Sequence, residues 1–132
     1  SLAAMTESAE EQFGGIKVTK TFAAEPIEGL ALPCEDHGGD VRSWFVFVVQ
    51  LPRGVDRDAT VRALAARGIQ SKPYLPAIHL MSFYRERFGY REGQFPVCED
   101  VAARSLALPF FPQMTEGQVA RVVAELRAVV CR

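Results

Sequence analysis

The chain has 132 residues, enough for one domain with a buried core, and its 48% hydrophobic and 23% charged residues are typical of a soluble globular protein. A formal net charge of −1, with no block of Lys and Arg, argues against nucleic-acid binding. Because no apolar run approaches the roughly 20 residues of a membrane span, and no signal-peptide pattern opens the sequence, we expect no membrane association. The three cysteines have unrelated spacings that fit neither a disulfide framework nor a zinc site, which predicts no metal and favours a reducing cytoplasm.

Residues 1–26 differ in character from the rest of the chain. The segment begins with small and acidic residues and reaches a glycine pair at Gly14 and Gly15. The stretch "IKVTKTFA", residues 16–23, alternates weakly and predicts a short strand. We expect residues 1–26 to be poorly packed or to serve as a linker, and residues 27–132 to form the domain.

Two apolar segments in the next part of the chain predict strands. The first is "LALP", residues 30–33, and the second is "WFVFVVQL", residues 44–51. The turn-rich residues 34–43 between them predict a loop. The unbroken apolar run of residues 44–51 is typical of a strand covered on both faces, or on one face with a neighbour shielding the other.

A helix is predicted after the second strand, with Asp56 or Asp58 as its N-cap and Gly68 after its last turn. Its apolar stripe consists of Val61, Leu64 and Ala65. The following "GIQSKPY" predicts an extended segment that ends at Pro73. The order is therefore strand, helix, strand, followed by a loop.

The C-terminal part predicts two more helices. Residues 96–109 predict a short helix that runs into a buried extended segment, and residues 115–130 predict a long helix whose capping box is Thr115 and Gln118. The apolar face of the long helix consists of Val119, Val122, Val123, Leu126 and Val130. Burial of each such side chain is worth roughly 1.5–3 kcal/mol, so this helix must pack on a sheet. The predicted fold is α+β, with helices over one face of a small, mainly antiparallel sheet.

The loop region "GIQSKPYLPAIHLMSFYRERFGY", residues 68–90, contains the best candidates for a functional site. His79 lies among apolar neighbours, which favours either a rigid ring of functional use or a histidine packed at a loop corner. Tyr74, Tyr84 and Tyr90, all the tyrosines of the chain, either contact a ligand ring or cover an edge of the core.

Charged residues offer weaker candidates. Arg85 and Arg87 either bind a phosphate or carboxylate or lie solvated on a short helical turn. The lysines of the chain are Lys17, Lys20 and Lys72. Schiff-base chemistry would need one of them, and a surface position is the expectation for each. Glu99 and Asp100 lie at the start of a predicted helix, where carboxylates favour the helix dipole, and we assign them no catalytic role.

Several of these segments together carry a resemblance to a known family. They are "RGIQSKPYLPAIH", "FYRERFGY", "FPVCEDVAARSLALPFFPQMT" and the final helix. The sequence from about residue 27 to residue 130 resembles the C-terminal domain of the DegT/DnrJ/EryC1/StrS aminotransferases. These are pyridoxal-phosphate enzymes that act mostly on nucleotide-linked keto-sugars. The resemblance implies the small domain of a type I aminotransferase.

The resemblance also implies which site residues belong to this chain. In the family, the large N-terminal domain carries the cofactor lysine, the histidine stacked on the cofactor and the aspartate that pairs with the ring nitrogen. The segment "FGGIKVTKTF" does not match the family's lysine motif, so no catalytic or cofactor-binding residue is assigned here. The family loop that matches "KPYLPAIH" closes over the active site, which makes His79 the best substrate-binding candidate, with Tyr74 and Leu75 lining the same mouth.

Three hypotheses follow. The first is the C-terminal domain of a pyridoxal-phosphate-dependent sugar aminotransferase, inactive alone. Its partners would be the large domain, a nucleotide-linked keto-sugar, a glutamate or glutamine donor and a second copy in a homo-oligomer. The second is a free-standing, non-catalytic module that binds a small molecule or a partner on the same fold. The third is a small independent enzyme that uses His79 with a carboxylate, for which the nearest downstream candidate in sequence is Glu86.

Overall fold

The computed structural model describes residues 16–131 and contains a three-stranded antiparallel sheet in the order β1-β3-β2. The strands are β1 (Phe47–Gln50), β2 (Lys72–Pro73) and β3 (Ser105–Leu108). Strand β3 is central, with Leu108 opposite Phe47 on one side and Ala107 opposite Lys72 on the other. Ala31, in the predicted strand 30–33, forms only an isolated bridge with Gln50.

Five helices accompany the sheet in the described residues. They are α1 (16–24), α2 (Arg57–Ala66), α3 (Ser82–Phe88), α4 (Pro96–Arg104) and α5 (Glu116–Val130), with a 3-10 turn at Ile78–Leu80. Asp56 is the N-cap of α2, because its carboxylate accepts from the Ala59 N–H at 2.8 Å. The predicted capping box of Thr115 and Gln118 is confirmed at the start of α5. None of the helices found between residues 16 and 131 combines the length and apolar character needed to cross a membrane.

Burial along β1 alternates, which decides between the two interpretations of its apolar run. Phe47, Val49 and Leu51 are fully buried, whereas Val48 and Gln50 are half-buried. The strand is therefore covered by the core on one face only. It is also shorter than the predicted residues 44–51, although Trp44 remains buried and stacks on Phe47 at 5.5 Å between ring centroids.

The core lies between that sheet face and helices α1, α2 and α5. Leu106 and Leu108 of β3 and Leu64 of α2 belong to a single buried cluster. Helix α5 contributes Val119, Val122, Val123 and Leu126. The predicted α+β arrangement is confirmed, with Val130 of α5 only half-buried. Helices α3 and α4 have no buried side chain in their hydrophobic positions, so they lie outside this core.

The expectations for the N-terminal segment need correction where it is described. Residues 16–24 form helix α1, not a strand, and Val18 and Phe22 are each only 2% exposed. These two residues lie one helical turn apart, and Phe22 stacks on Phe47 of β1 at 6.0 Å. Residues 16–26 are thus part of the packed body rather than a linker. Residues 1–15 lie outside the described residues, so a division of the chain near residue 26 stays a prediction.

Replacing Phe22 by Ala tests whether α1 belongs to the core. We expect Phe22→Ala to lower the free energy of unfolding by about 3–5 kcal/mol, since it removes a fully buried ring. Urea denaturation followed by circular dichroism measures the loss. The control Lys20→Ala changes an exposed side chain of the same helix and should stay within about 0.5 kcal/mol of the wild type. Equal, small effects of the two substitutions would show that α1 is only a linker.

Candidate functional site

His79 is held inside the loop region by a short 3-10 turn. The turn follows Pro76 and is closed by the Leu80 N–H, which donates to the Ala77 carbonyl at 3.0 Å. His79 is 8% exposed, whereas its neighbour Ile78 is 59% exposed. The turn therefore directs the imidazole inward and the isoleucine outward.

Glu99 of α4 is the direct partner of the imidazole. Nε2 of His79 lies 2.8 Å from Oε1 of Glu99, and both side chains are largely buried. The same carboxylate accepts the Gly93 N–H at 3.0 and 2.9 Å and the Phe95 N–H at 3.2 Å. The pKa of Glu99 is held below its usual value, mainly by the hydrogen bond from the Gly93 N–H and next by the hydrogen bond from His79. The geometry indicates an ionised carboxylate that holds the histidine and the 93–95 backbone together.

Aromatic rings enclose this pair and continue from it along the surface. Phe95 meets His79 edge to face at 4.8 Å, and Tyr90 does so at 6.3 Å. The row then runs through further centroid distances of 5.8 Å for Tyr90–Phe95, 5.8 Å for Phe88–Tyr90, 6.2 Å for Tyr84–Phe88 and 5.2 Å for Phe83–Tyr84. Contacts of this kind favour fixed ring orientations, so His79 lies at one end of an ordered aromatic row.

Tyr74, a second predicted substrate-binding residue, lies on the sheet side of the loop. The Tyr74 N–H donates to the Ser105 carbonyl at 3.2 Å, which ties the start of the loop to β3. Tyr74 also lines a cavity of about 640 Å³ over the open face of the sheet, together with Trp44 and Val48. Leu75 is 62% exposed. The loop thus carries all three residues, with Tyr74 at this cavity and His79 enclosed by α4 and the aromatic rings.

Leu75 has an unusual backbone conformation. Its φ of +56° lies in the left-handed region, which residues other than glycine rarely adopt. The next residue is Pro76, and a residue before proline favours extended conformations. Strained backbone of this kind persists only where the surroundings enforce it, and it is frequent at binding sites.

Glu99 is the site residue that the sequence analysis missed. We assigned Glu99 and Asp100 to the helix dipole, and the carboxylate nearest to His79 downstream in sequence was Glu86. In the structure Glu86 is exposed on α3. Asp100 pairs with Arg104 at 2.7 Å and with Arg53 at 3.0 Å, so only Glu99 faces the histidine. The glycine at position 93, which has a φ of +87° in the structure, is a local signal in the sequence for a turn before α4.

Other predicted candidates stay on the surface. Arg85 and Arg87 are exposed on α3, which favours the interpretation of solvated side chains. All the lysines of the chain, Lys17, Lys20 and Lys72, are exposed. Cys34, Cys98 and Cys131 are free and exposed.

The α+β fold described above is that of aminotransferases similar in structure to this chain. The model of the DegT/DnrJ/EryC1/StrS aminotransferase family matches residues 17–127, and the chain belongs to this family. The match begins within α1, in agreement with the packing of that helix in the core.

Solved structures of aminotransferases are similar to the chain over most of its length. S. venezuelae DesV, solved in complex with a ketimine intermediate, is 27% identical, with a TM-score of 0.77, covering 96% of this chain and 33% of DesV. TlmJ from Streptoalloteichus hindustanus is 24% identical, with a TM-score of 0.77, and the match covers 94% of this chain and 32% of TlmJ. The putative sugar aminotransferase Spr1654 from Streptococcus pneumoniae is 14% identical, with a TM-score of 0.82, and the match covers 95% of this chain and 31% of Spr1654. The chain spans about a third of the length of these proteins.

The lowered pKa of Glu99 predicts a dependence of stability on acid pH. A carboxylate whose pKa is lower in the folded than in the unfolded state stabilises the fold at pH values above its unfolded-state pKa, here 4.5. This contribution is lost as the pH falls through the folded-state pKa. We expect Glu99→Gln to flatten the decline of unfolding free energy below pH 4.5. Part of the decline should remain, because the pKa values of Asp56 and Asp100 are also lowered.

Urea denaturation from pH 7 to pH 3 measures this slope. The control Glu86→Gln alters an exposed carboxylate and should follow the wild-type slope. A slope for Glu99→Gln identical to that of the wild type would contradict a lowered pKa of Glu99 in the folded state.

Substitution of Leu75 tests the backbone strain. We expect Leu75→Gly to be about 1 kcal/mol more stable than Leu75→Ala, since only glycine adopts a positive φ without strain. The comparison with Ala removes the contribution of the leucine side chain itself. Thermal or urea denaturation of the two variants gives the difference, and a more stable Ala variant would contradict a left-handed Leu75.

Proposed function

We propose that this chain is the C-terminal domain of a pyridoxal-phosphate-dependent aminotransferase that transfers an amino group from glutamate or glutamine to a nucleotide-linked keto-sugar. The observation that carries the proposal is the pair of His79 in the loop and Glu99 on α4, both within the residues that the family model covers. DesV was solved with a ketimine intermediate, and Helicobacter pylori PseC is an aminotransferase of pseudoaminic acid biosynthesis. PseC is only 12% identical, so its likeness supports the fold, while family membership supports the activity.

The residues of this chain would bind and enclose the substrate. His79 offers a rigid imidazole for a polar group, while Tyr74 and the exposed Leu75 line the mouth of the loop. Burial of the reacting groups under this loop would exclude water from the reaction.

Pyridoxal phosphate, when bound, supplies the electron sink for amino transfer. Its imine needs a lysine in a water-excluded site, and the exposed Lys17, Lys20 and Lys72 do not fit this requirement. The cofactor would therefore be held by the remaining part of the parent enzyme, and the isolated chain would have no transaminase activity.

The missing partner would be the large N-terminal domain. The chain spans about a third of its structural relatives, which leaves room for such a domain. Large apolar side chains are exposed between residues 75 and 101, namely Leu75, Ile78, Met81, Phe83, Phe88, Phe95, Val97 and Val101. A concentration of this kind on one segment supports a surface that is covered in the parent. By family analogy the parent would be a cytoplasmic homo-oligomer.

A free-standing, non-catalytic binding module is the second candidate. The cavity of about 640 Å³ over the open sheet face favours it, because Trp44, Tyr74 and Gln50 combine apolar walls with polar groups there. Such a module should be monodisperse, whereas a domain separated from its parent should self-associate through its exposed apolar side chains. Light scattering of the purified chain distinguishes the two.

A titration with pyridoxal phosphate tests whether this chain holds the cofactor through one of its lysines. We expect pyridoxal phosphate, followed by borohydride reduction and peptide mapping, to give no near-stoichiometric lysine adduct on this chain. The exposed lysines should react only slowly, and each should be labelled in only part of the molecules. A single stoichiometric label on Lys17, Lys20 or Lys72 would mean that the chain carries its own cofactor site.

A second test concerns His79 in a full-length aminotransferase that carries this domain. We expect His79→Ala to lower kcat/KM for the keto-sugar at least about 10-fold, since a rigid hydrogen-bonding partner is lost. Arg85→Ala, on the exposed face of α3, is the control and should leave kcat/KM within about twofold. Equal activity of the His79 variant and the wild type would remove His79 from the site.

A further inference from the structure

Glu99 has more hydrogen-bonding partners than an incidental contact of His79 would need. Its carboxylate accepts from the backbone N–H groups of Gly93 and Phe95 and lies 2.8 Å from Nε2 of His79. A carboxylate has about four lone-pair sites, so these contacts use most of them. With its hydrogen bonds largely satisfied by fixed groups, the side chain of Glu99 has little freedom to rotate.

The arrangement determines which nitrogen of His79 carries the proton. An ionised carboxylate only accepts hydrogen bonds, so the nitrogen that faces it must donate. In the neutral ring the proton then lies on Nε2, and Nδ1 is left as an acceptor. A carboxylate behind a functional histidine fixes its tautomer and its orientation in the same way in metal and protease sites.

We propose that Glu99 is a positioning residue that holds His79 in the Nε2–H tautomer and so leaves Nδ1 as the acceptor for a hydroxyl group of the keto-sugar. This inference rests on the proposed function for the identity of the substrate, while the state of the ring can be tested independently. A neutral Nδ1 accepts a hydrogen bond, so it fits a donor such as a sugar hydroxyl, whereas it would repel the lone pairs of a carbonyl oxygen. Phe95 and Tyr90 contact the ring edge to face and restrict its rotation about Cβ–Cγ.

Strand β3 positions both Glu99 and the loop that carries His79. Helix α4 leads directly into β3, and Ser105 Oγ donates back to the Val101 carbonyl at 2.7 Å, which fixes the junction. The loop that carries His79 begins at Tyr74, whose N–H donates to the carbonyl of the same Ser105. The position of Glu99 relative to His79 therefore follows from the sheet and does not require the rest of the parent enzyme.

Nitrogen-15 NMR of the imidazole groups tests the tautomer in the chain as it is. The sequence has two histidines, and His37 in an exposed loop is the internal reference. At a pH where both rings are neutral, we expect His79 to be entirely the Nε2–H tautomer, with an Nε2–H proton that exchanges with water at least 10-fold more slowly than that of His37. An Nδ1–H tautomer, or equal exchange in the two rings, would overturn the proposal.

Variants separate positioning from folding. Glu99→Ala should shift the His79 signals and remove the slow exchange. Asp100→Asn, which weakens the ion pairs of the same helix with Arg104 and Arg53, should leave both unchanged. Unchanged His79 signals in Glu99→Ala would contradict the proposal. If Glu99→Ala does not fold, Glu99→Gln keeps the size of the side chain, and the wild-type tautomer remains decisive.

Kinetics in a full-length aminotransferase carrying this domain test the consequence. We expect Glu99→Ala to raise KM for the keto-sugar at least 5-fold, and to have no further effect in a His79→Ala background, since both act through one nitrogen. A purely structural role would lower the active fraction, and so apparent kcat, at constant KM. Additive effects of the two substitutions would overturn the proposal. An inactive wild type, with the expected NMR tautomer, would instead disprove the proposed function alone.

Discussion

The position of β3 in the middle of a sheet that is buried on one face is the constraint on which the structure depends. Leu106 and Leu108 point into the core, so the helices that cover them must lie on that side. Ser105, at the start of the strand, joins α4 through its hydroxyl and the His79 loop through its carbonyl. Packing of the core therefore also sets the geometry of the candidate site.

The site combines a rigid polar pair with an apolar enclosure. Burying a histidine beside a carboxylate is costly unless both are hydrogen-bonded, and here the backbone of Gly93 and Phe95 completes the pairing of Glu99. The aromatic rings contact His79 and extend outward to exposed Phe88 and Phe83. The described residues thus present a fixed imidazole next to exposed apolar side chains.

Local signals in the sequence were sufficient for the elements whose pattern is long or capped. Helix α5 was predicted from its capping box and a repeat of apolar residues over about three turns, and α2 from Asp56 and Gly68. Helix α1 was predicted wrongly, because Ile16, Val18 and Phe22 fit alternation over a few residues as well as a helical repeat. Only the contact of Phe22 with Phe47 in the folded protein distinguishes the two.

For the candidate site, the sequence by itself indicated the loop and its histidine, because a distinctive run of residues and a family resemblance coincide at His79. The pairing with Glu99 was decided only by the tertiary structure. These residues are 20 positions apart and on different elements, and neither local propensity nor periodicity relates them. They meet because α4 is anchored to β3 and the loop is tied to the same strand, and such contacts follow from the packing of the sheet rather than from spacing along the chain.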